Sequence, residues 1–201
     1  FNQGEVCSAN SRLLVHSSIK DEMVGKLKER AEKIKQGNPL DPATTMGAMV
    51  DVDHAKKVEE FLNVGKAEAK LITGGDRFSI NDSDAFIQPT IFADVSEDAT
   101  IARDEIFGPV LAIQTFDTED EAIEMANKSV YGLAASVWTS DLARAMDLSD
   151  KLHVGTVSVN TVDALSAMTP FGGMKQSGFG RDLSIHSFDK YTALKTIWVK
   201  Y

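Results

Sequence analysis

Val110-Leu111-Ala112-Ile113-Gln114-Thr115-Phe116, followed by Asp117-Thr118-Glu119-Asp120-Glu121-Ala122-Ile123-Glu124-Met125-Ala126-Asn127-Lys128, places an apolar run directly before a capped helical pattern. The first seven residues predict a strand. Thr118 and, three residues later, Glu121 form a capping-box signature, so a helix is predicted over 118–128. Leu133–Thr139 reads as the next strand, Ser140 as the cap of the next helix, and Thr156–Asn160 as a further strand. Apolar strands separated by helices pair in parallel and bury both faces, so the fold class is α/β with a parallel sheet in three layers.

Working outward, Ile19, Met23, Leu27, Ala31 and Ile34 recur at helical spacing, with Ser18 and Asp21 placed to open the helix and Gly37 to end it. That predicts about five turns. Asp51 or Asp53 opens a second helix through Val58, Leu62 and Ala69, and Leu71-Ile72-Thr73 is a short strand stopped by Gly74-Gly75. From Thr161 to Arg181 periodicity is lost in a stretch holding Gly172, Gly173, Gly178 and Gly180. A connector of that length suggests a functional loop. Ala193–Val199 alternates and predicts an edge strand in search of a partner. The expected organisation is a domain over 1–190 and a terminal strand over 191–201.

Composition narrows the function classes. With 43% hydrophobic and 25% charged residues the chain can build a core, and no apolar run approaches the ~20 residues of a spanning helix. A net charge of -9, with charges alternating as in Lys20-Asp21-Glu22, argues against a nucleic-acid surface. Neither a membrane nor a nucleic acid is expected as partner, and the cytoplasm is the expected compartment. One cysteine and 4 histidines offer no metal-ligand cluster, so no metal is expected.

The cysteine, Cys7, lies in Gly4-Glu5-Val6-Cys7-Ser8-Ala9-Asn10, where small neighbours let a carbonyl approach sulfur and the Cys7 backbone N–H can meet a developing oxyanion. The same residues suit an inert thiol packed beside Val6 and Ala9. Glu105, before the strand at 110–116, is by position alone a solvated charge.

Phe1-Asn2-Gln3-Gly4-Glu5-Val6-Cys7-Ser8-Ala9-Asn10-Ser11-Arg12 resembles the cysteine signature of the aldehyde dehydrogenase superfamily. Gly37-Asn38-Pro39-Leu40-Asp41-Pro42, Glu105-Ile106-Phe107-Gly108-Pro109-Val110, Tyr131-Gly132-Leu133, Pro170-Phe171-Gly172-Gly173 and Lys175-Gln176-Ser177-Gly178 resemble further segments of that family in the same order. The resemblance spans the whole chain.

It implies that Cys7 is the nucleophile: its thiolate adds to an aldehyde, the thiohemiacetal yields hydride to NAD or NADP, and water hydrolyses the thioester. By the same resemblance Glu105 holds nicotinamide-ribose hydroxyls, Phe107 packs near the nicotinamide, and His54 and Lys57 stand where relatives contact ribose. Phe171 and Leu165 line the aldehyde tunnel, Val6 and Ser8 flank the nucleophile and touch substrate, and Glu5 is left a structural part. Asn38–Gly47, Lys175–Gly178 and Thr196-Ile197-Trp198 look most like the branch oxidising amino-aldehydes such as γ-glutamyl-γ-aminobutyraldehyde, with betaine-aldehyde and aliphatic branches sharing most motifs.

The chain opens without Met, inside a motif, and is expected to be part of a longer protein. The family's general-base glutamate, oxyanion asparagine and glycine-bearing cofactor domain precede the cysteine. This chain by itself is therefore expected to be inactive, and the full-length protein to be a homodimer or homotetramer. A non-catalytic assembly relative and a cysteine hydrolase are the rival readings; His16, His54, His153 and His186 show no local pairing with Cys7 that would favour the hydrolase.

The nucleophile reading requires a thiol alkylated by iodoacetamide faster than free cysteine at the same pH in the intact protein. A Cys7 no faster than free cysteine would count against it.

Overall fold

The computed structural model describes residues 1–201, which divide into two units, Phe1–Ser129 and Val130–Tyr201. In the first unit the elements run β1 (Arg12–His16), α1 (Lys20–Glu32), α2 (Val52–Glu68), β2 (Lys70–Thr73), β3 (Arg77–Ile80), β4 (Ser83–Ile87), β5 (Thr90–Ala93), α3 (Thr100–Arg103), β6 (Val110–Phe116) and α4 (Glu119–Asn127). The sheet order is β1-β6-β5-β2, with β6 parallel to both β1 and β5 and with β2 antiparallel at the edge. The strand expected at 110–116 is thus an interior strand of this sheet, where an apolar run buries both faces.

Side-chain alternation sends the two faces to different helices. Phe92, Val110 and Ala112 join Ala55, Val58 and Leu62 of α2, with Ala85 and Ile87 of the hairpin and Ile101 of α3. Ile91, Ala93, Ile113 and Val15 pack instead with Met23, Val24, Leu27 and Ala31 of α1. Helix, sheet and helix form three layers, as expected. The α2 layer sits close: a Cβ on Gly65 would come within 2.8 Å of the Phe92 ring.

Several local expectations are corrected. α1 has 13 residues and ends at Glu32 instead of near Gly37. It is entered through a 3₁₀ turn, Ser17–Ile19, whose cap is the His16 ring, accepting from the Ser18 N–H. Ser18 is therefore not the cap; an imidazole nitrogen took the orphan donor. Thr118 does cap α4, but the Glu121 carboxylate accepts from the Asp117 N–H at 2.8 Å, one residue earlier than in a capping box. The β3–β4 hairpin, with its turn at Asn81 and Asp82 in the left-handed region, was not foreseen.

The second unit contains β7 (Tyr131–Gly132), β8 (Ala134–Val137), α5 (Leu142–Lys151), β9 (Thr156–Val159) and β10 (Met174–Lys175). β8 and β9 are parallel, and β7 pairs with β10. The strand expected at 133–139 forms over Ala134–Val137, with β7 a separate short strand before it, and Asp141, not Ser140, caps α5 by accepting from the Arg144 N–H. Of the loop expected over 161–181, residues 161–170 are irregular, while the rest holds β10 and the Phe171–Asp182 bridge. Ala193–Val199 pairs with no strand of this chain, and Leu194, Ile197, Trp198 and Val199 are exposed. The expected strand is therefore not formed within the chain, because an edge segment becomes a ladder only when a partner supplies the other half of its hydrogen bonds. No helix is long and apolar enough to cross a membrane.

Leu62 is fully buried under the sheet. Leu62→Ala should lower unfolding stability by about 2–5 kcal/mol, read from the urea midpoint of the protein.

Candidate active site

The nucleophile segment is built by backbone before it is built by side chains. Asn2, Gln3 and Gly4 all have positive φ, and Gly4, at +79°, lies on Gly108: an added Cβ would collide with the Gly108 carbonyl oxygen and stand 2.7 Å from its carbon. Gly108 in turn rests on α2, where a Cβ would meet Val58 at 3.0 and 3.1 Å. Two glycines are required because two backbones touch.

The segment 48–50 grips the same turn from the side. Gln3 Nε2 donates to the Ala48 carbonyl at 2.7 Å, and the Val50 N–H donates to Glu5 Oε1 at 3.1 Å. The Glu5 carboxylate is nearly buried, with 7% of its side chain exposed. It thus serves the architecture two residues from Cys7, and a base reading for it finds no support in this geometry.

Above this clamp the chain turns at Cys7, where the Ala9 N–H donates to the Val6 carbonyl at 3.0 Å. Cys7 is exposed and unpaired, with Val6 and Ser8 half-buried on either side. The inert buried thiol is thereby set aside. The Cys7 N–H donates to no acceptor of the chain. Beyond the turn, Arg12 opens β1 and donates to the Ala126 carbonyl at the end of α4, 3.2 Å away. Burial pulls its pKa below the usual guanidinium value, and Glu97 partly opposes this.

The second loop of the site precedes β6. Glu105 is exposed, Ile106 is buried in the α2 layer, and Phe107 leaves 38% of its surface in solvent at φ 55°. His54, in the first turn of α2, points its Nε2 at the Phe107 carbonyl, 2.7 Å away, and its ring meets the Phe107 ring edge to face at 6.1 Å. The same Nε2 is 3.7 Å from Glu5 Oε1. Lys57 is exposed one turn further along α2.

The fold thus brings Glu5, His54 and Phe107 together around the cysteine turn. Sequence reasoning missed Gln3 and Gly4 as its supports; the polar, glycine-bearing run before Cys7 was the available signal. Phe171 and Leu165 belong to the second unit, where Phe171 is half-buried and bridged to Asp182 by paired backbone hydrogen bonds of 2.9 and 2.7 Å, and Leu165 is 49% exposed in the loop.

Comparison with known proteins identifies the family. The aldehyde dehydrogenase family model matches residues 1–197. The chain is 47% identical over 99% of its length to the NADP/NAD-dependent aldehyde dehydrogenase PuuC of Escherichia coli, covering 40% of that protein. It is 46% identical to a betaine aldehyde dehydrogenase of Sinorhizobium fredii, over 99% of this chain and 41% of the relative. Among solved structures, the indole-3-acetaldehyde dehydrogenase AldA of P. syringae, in complex with NAD+ and IAA, superposes with a TM-score of 0.96 at 48% identity, over 100% of this chain and 41% of that one. Betaine aldehyde dehydrogenase of Staphylococcus aureus in complex with NAD+ superposes at 0.91 with 41% identity, over 95% of this chain and 39% of that one. The α/β fold is shared with aldehyde dehydrogenases of known structure, and this chain belongs to the aldehyde dehydrogenase family. It spans about 40% of the length of the curated relatives it matches.

Gly4→Ala meets both a left-handed backbone and the Gly108 carbonyl. It should cost about 1–3 kcal/mol of stability, measured by denaturant titration of the protein.

Proposed function

We propose that this chain supplies the nucleophile and one side of the cofactor site in the NAD(P)+-dependent oxidation of an aldehyde to a carboxylic acid. The observation that carries the reading is the presentation of Cys7: an exposed thiol on a rigidly clamped turn, with its own N–H given to no other acceptor.

A Cys7 thiolate adds to the aldehyde carbonyl, and the unengaged N–H is available to the oxygen as it becomes an alkoxide. Bound NAD+ or NADP+ supplies the hydride acceptor. Loss of hydride from the thiohemiacetal leaves a thioester on Cys7, and water then releases the acid and restores the thiol. Glu105 is exposed and engages no donor of this chain, so its carboxylate is free to accept two ribose hydroxyls. Phe107 offers an exposed apolar ring beside it for the nicotinamide, and Lys57 an exposed ammonium on α2. These residues fit the group they are assigned to hold.

Val6 and Ser8 flank the nucleophile, and Phe171 and Leu165 are assigned, by the family resemblance, the apolar lining for the carbon chain. The substrate we propose is an amino-aldehyde or an aliphatic aldehyde; a relative named for betaine aldehyde, a quaternary amino-aldehyde, supports the first. A homodimer or homotetramer is proposed from the exposed, alternating side chains of 193–199. A single exposed, unpaired cysteine suits the reducing cytoplasm. The 201 residues by themselves are proposed to be inactive, since the glutamate that the family uses as general base precedes the cysteine.

The test is NAD+ reduction with a panel of amino- and aliphatic aldehydes, run on this chain and on the intact protein at mildly alkaline pH. Activity is expected from the intact protein only, with Cys7→Ser lowering kcat at least about a thousandfold. Absence of NADH with every aldehyde would overturn the reading in favour of a non-catalytic assembly relative.

A further inference from the structure

His54 touches both loops of the site, and neither contact is explained by a ribose ligand. Its Nε2 lies 2.7 Å from the Phe107 carbonyl, which can only accept, so Nε2 carries the proton and donates. The carbonyl belongs to a residue at φ 55°, a backbone conformation that is strained for a non-glycine residue and persists only where surroundings hold it. From the other side, Glu5 Oε1 stands 3.7 Å from the same nitrogen and receives the Val50 N–H at 3.1 Å. His54 is itself anchored, its backbone N–H donating to the cap Asp51 at 2.7 Å, and 22% of its side chain is exposed.

We propose that His54 is a positioning residue that locks the nicotinamide-side loop, through the Phe107 carbonyl, to the clamped turn that carries Cys7. Two contacts then fix one loop against the other: the backbone stack of Gly4 on Gly108 below, and beside it the His54 ring, which donates to the Phe107 carbonyl and packs 3.7 Å from the buried Glu5 carboxylate. The stack sets the spacing; the imidazole, wedged against Glu5, sets the rotation of the Phe107 peptide and hence the direction of its ring. The ring's edge-to-face contact with Phe107 adds a second constraint on the same side chain. Attack and hydride transfer both need reacting atoms held within a few tenths of an ångström, which is where such a lock would act.

This rests on the reading that Phe107 packs at the nicotinamide. The experiment uses the intact protein as wild type, His54→Ala and His54→Gln; glutamine places an N–H at a reach similar to Nε2. Steady-state kinetics with NAD+ and the preferred aldehyde should show kcat falling about tenfold in His54→Ala while KM for NAD+ changes less than about threefold, and His54→Gln recovering most of the loss. Amide exchange, read without turnover, should quicken in peptides 1–9 and 104–110 together in His54→Ala and return in His54→Gln. A rise in KM for NAD+ at unchanged kcat would make His54 a ribose ligand alone and overturn the proposal. So would a His54→Gln protein no better than His54→Ala, or unchanged exchange in both peptides. A wild type that reduces no NAD+ defeats the aldehyde reading instead, and the exchange measurement still decides the lock.

Discussion

Gly4 lies against Gly108, and most of the site depends on that contact between two backbones. One glycine belongs to the turn that presents Cys7, the other to the loop that presents Glu105 and Phe107, and the second is seated on Val58 of the long helix α2. A methyl group at either position would separate loop from loop or loop from helix. Because protein interiors are packed near crystal density and do not yield continuously, the separation would be passed on to Cys7 and Phe107.

The sheet serves this contact. β6 begins two residues after Gly108 and is held by β1 on one side and β5 on the other. β1 itself begins five residues after Cys7, so both loops are short extensions of adjacent parallel strands. Their positions are therefore inherited from a hydrogen-bonded register, Arg12 opposite Ala112, that the two cores on either face protect. Reactive groups on loops and rigidity in the strands behind them are the ordinary division of labour in α/β proteins.

Polar groups then refine what the backbones set. Gln3 and Glu5 hold the segment 48–50 through one carbonyl and one N–H two residues apart. Burying the Glu5 carboxylate is tolerable because it is hydrogen-bonded and lies beside the His54 ring. His54 owes its place to the Asp51 cap, which starts α2 where its first turn reaches the second loop. One helix start thus serves core packing and the site together.

Much of this was legible in the residues. The run Val110–Phe116, bounded by Thr118, determined a buried strand before a capped helix, because an uninterrupted apolar run is only stable with both faces covered. The cysteine signature and the Glu105-Ile106-Phe107-Gly108 segment pointed to the family by their resemblance to its motifs, and the family model matches residues 1–197. Caps were less legible: the His16 ring replaced Ser18, and Asp141 replaced Ser140, because several neighbouring side chains can satisfy one orphan N–H and packing chooses among them. Only the tertiary structure decided that Glu5, Gln3 and His54 act on each other's loops. Those partners lie 45 to 53 residues apart, and no local pattern records which carbonyl a distant helix turn will reach.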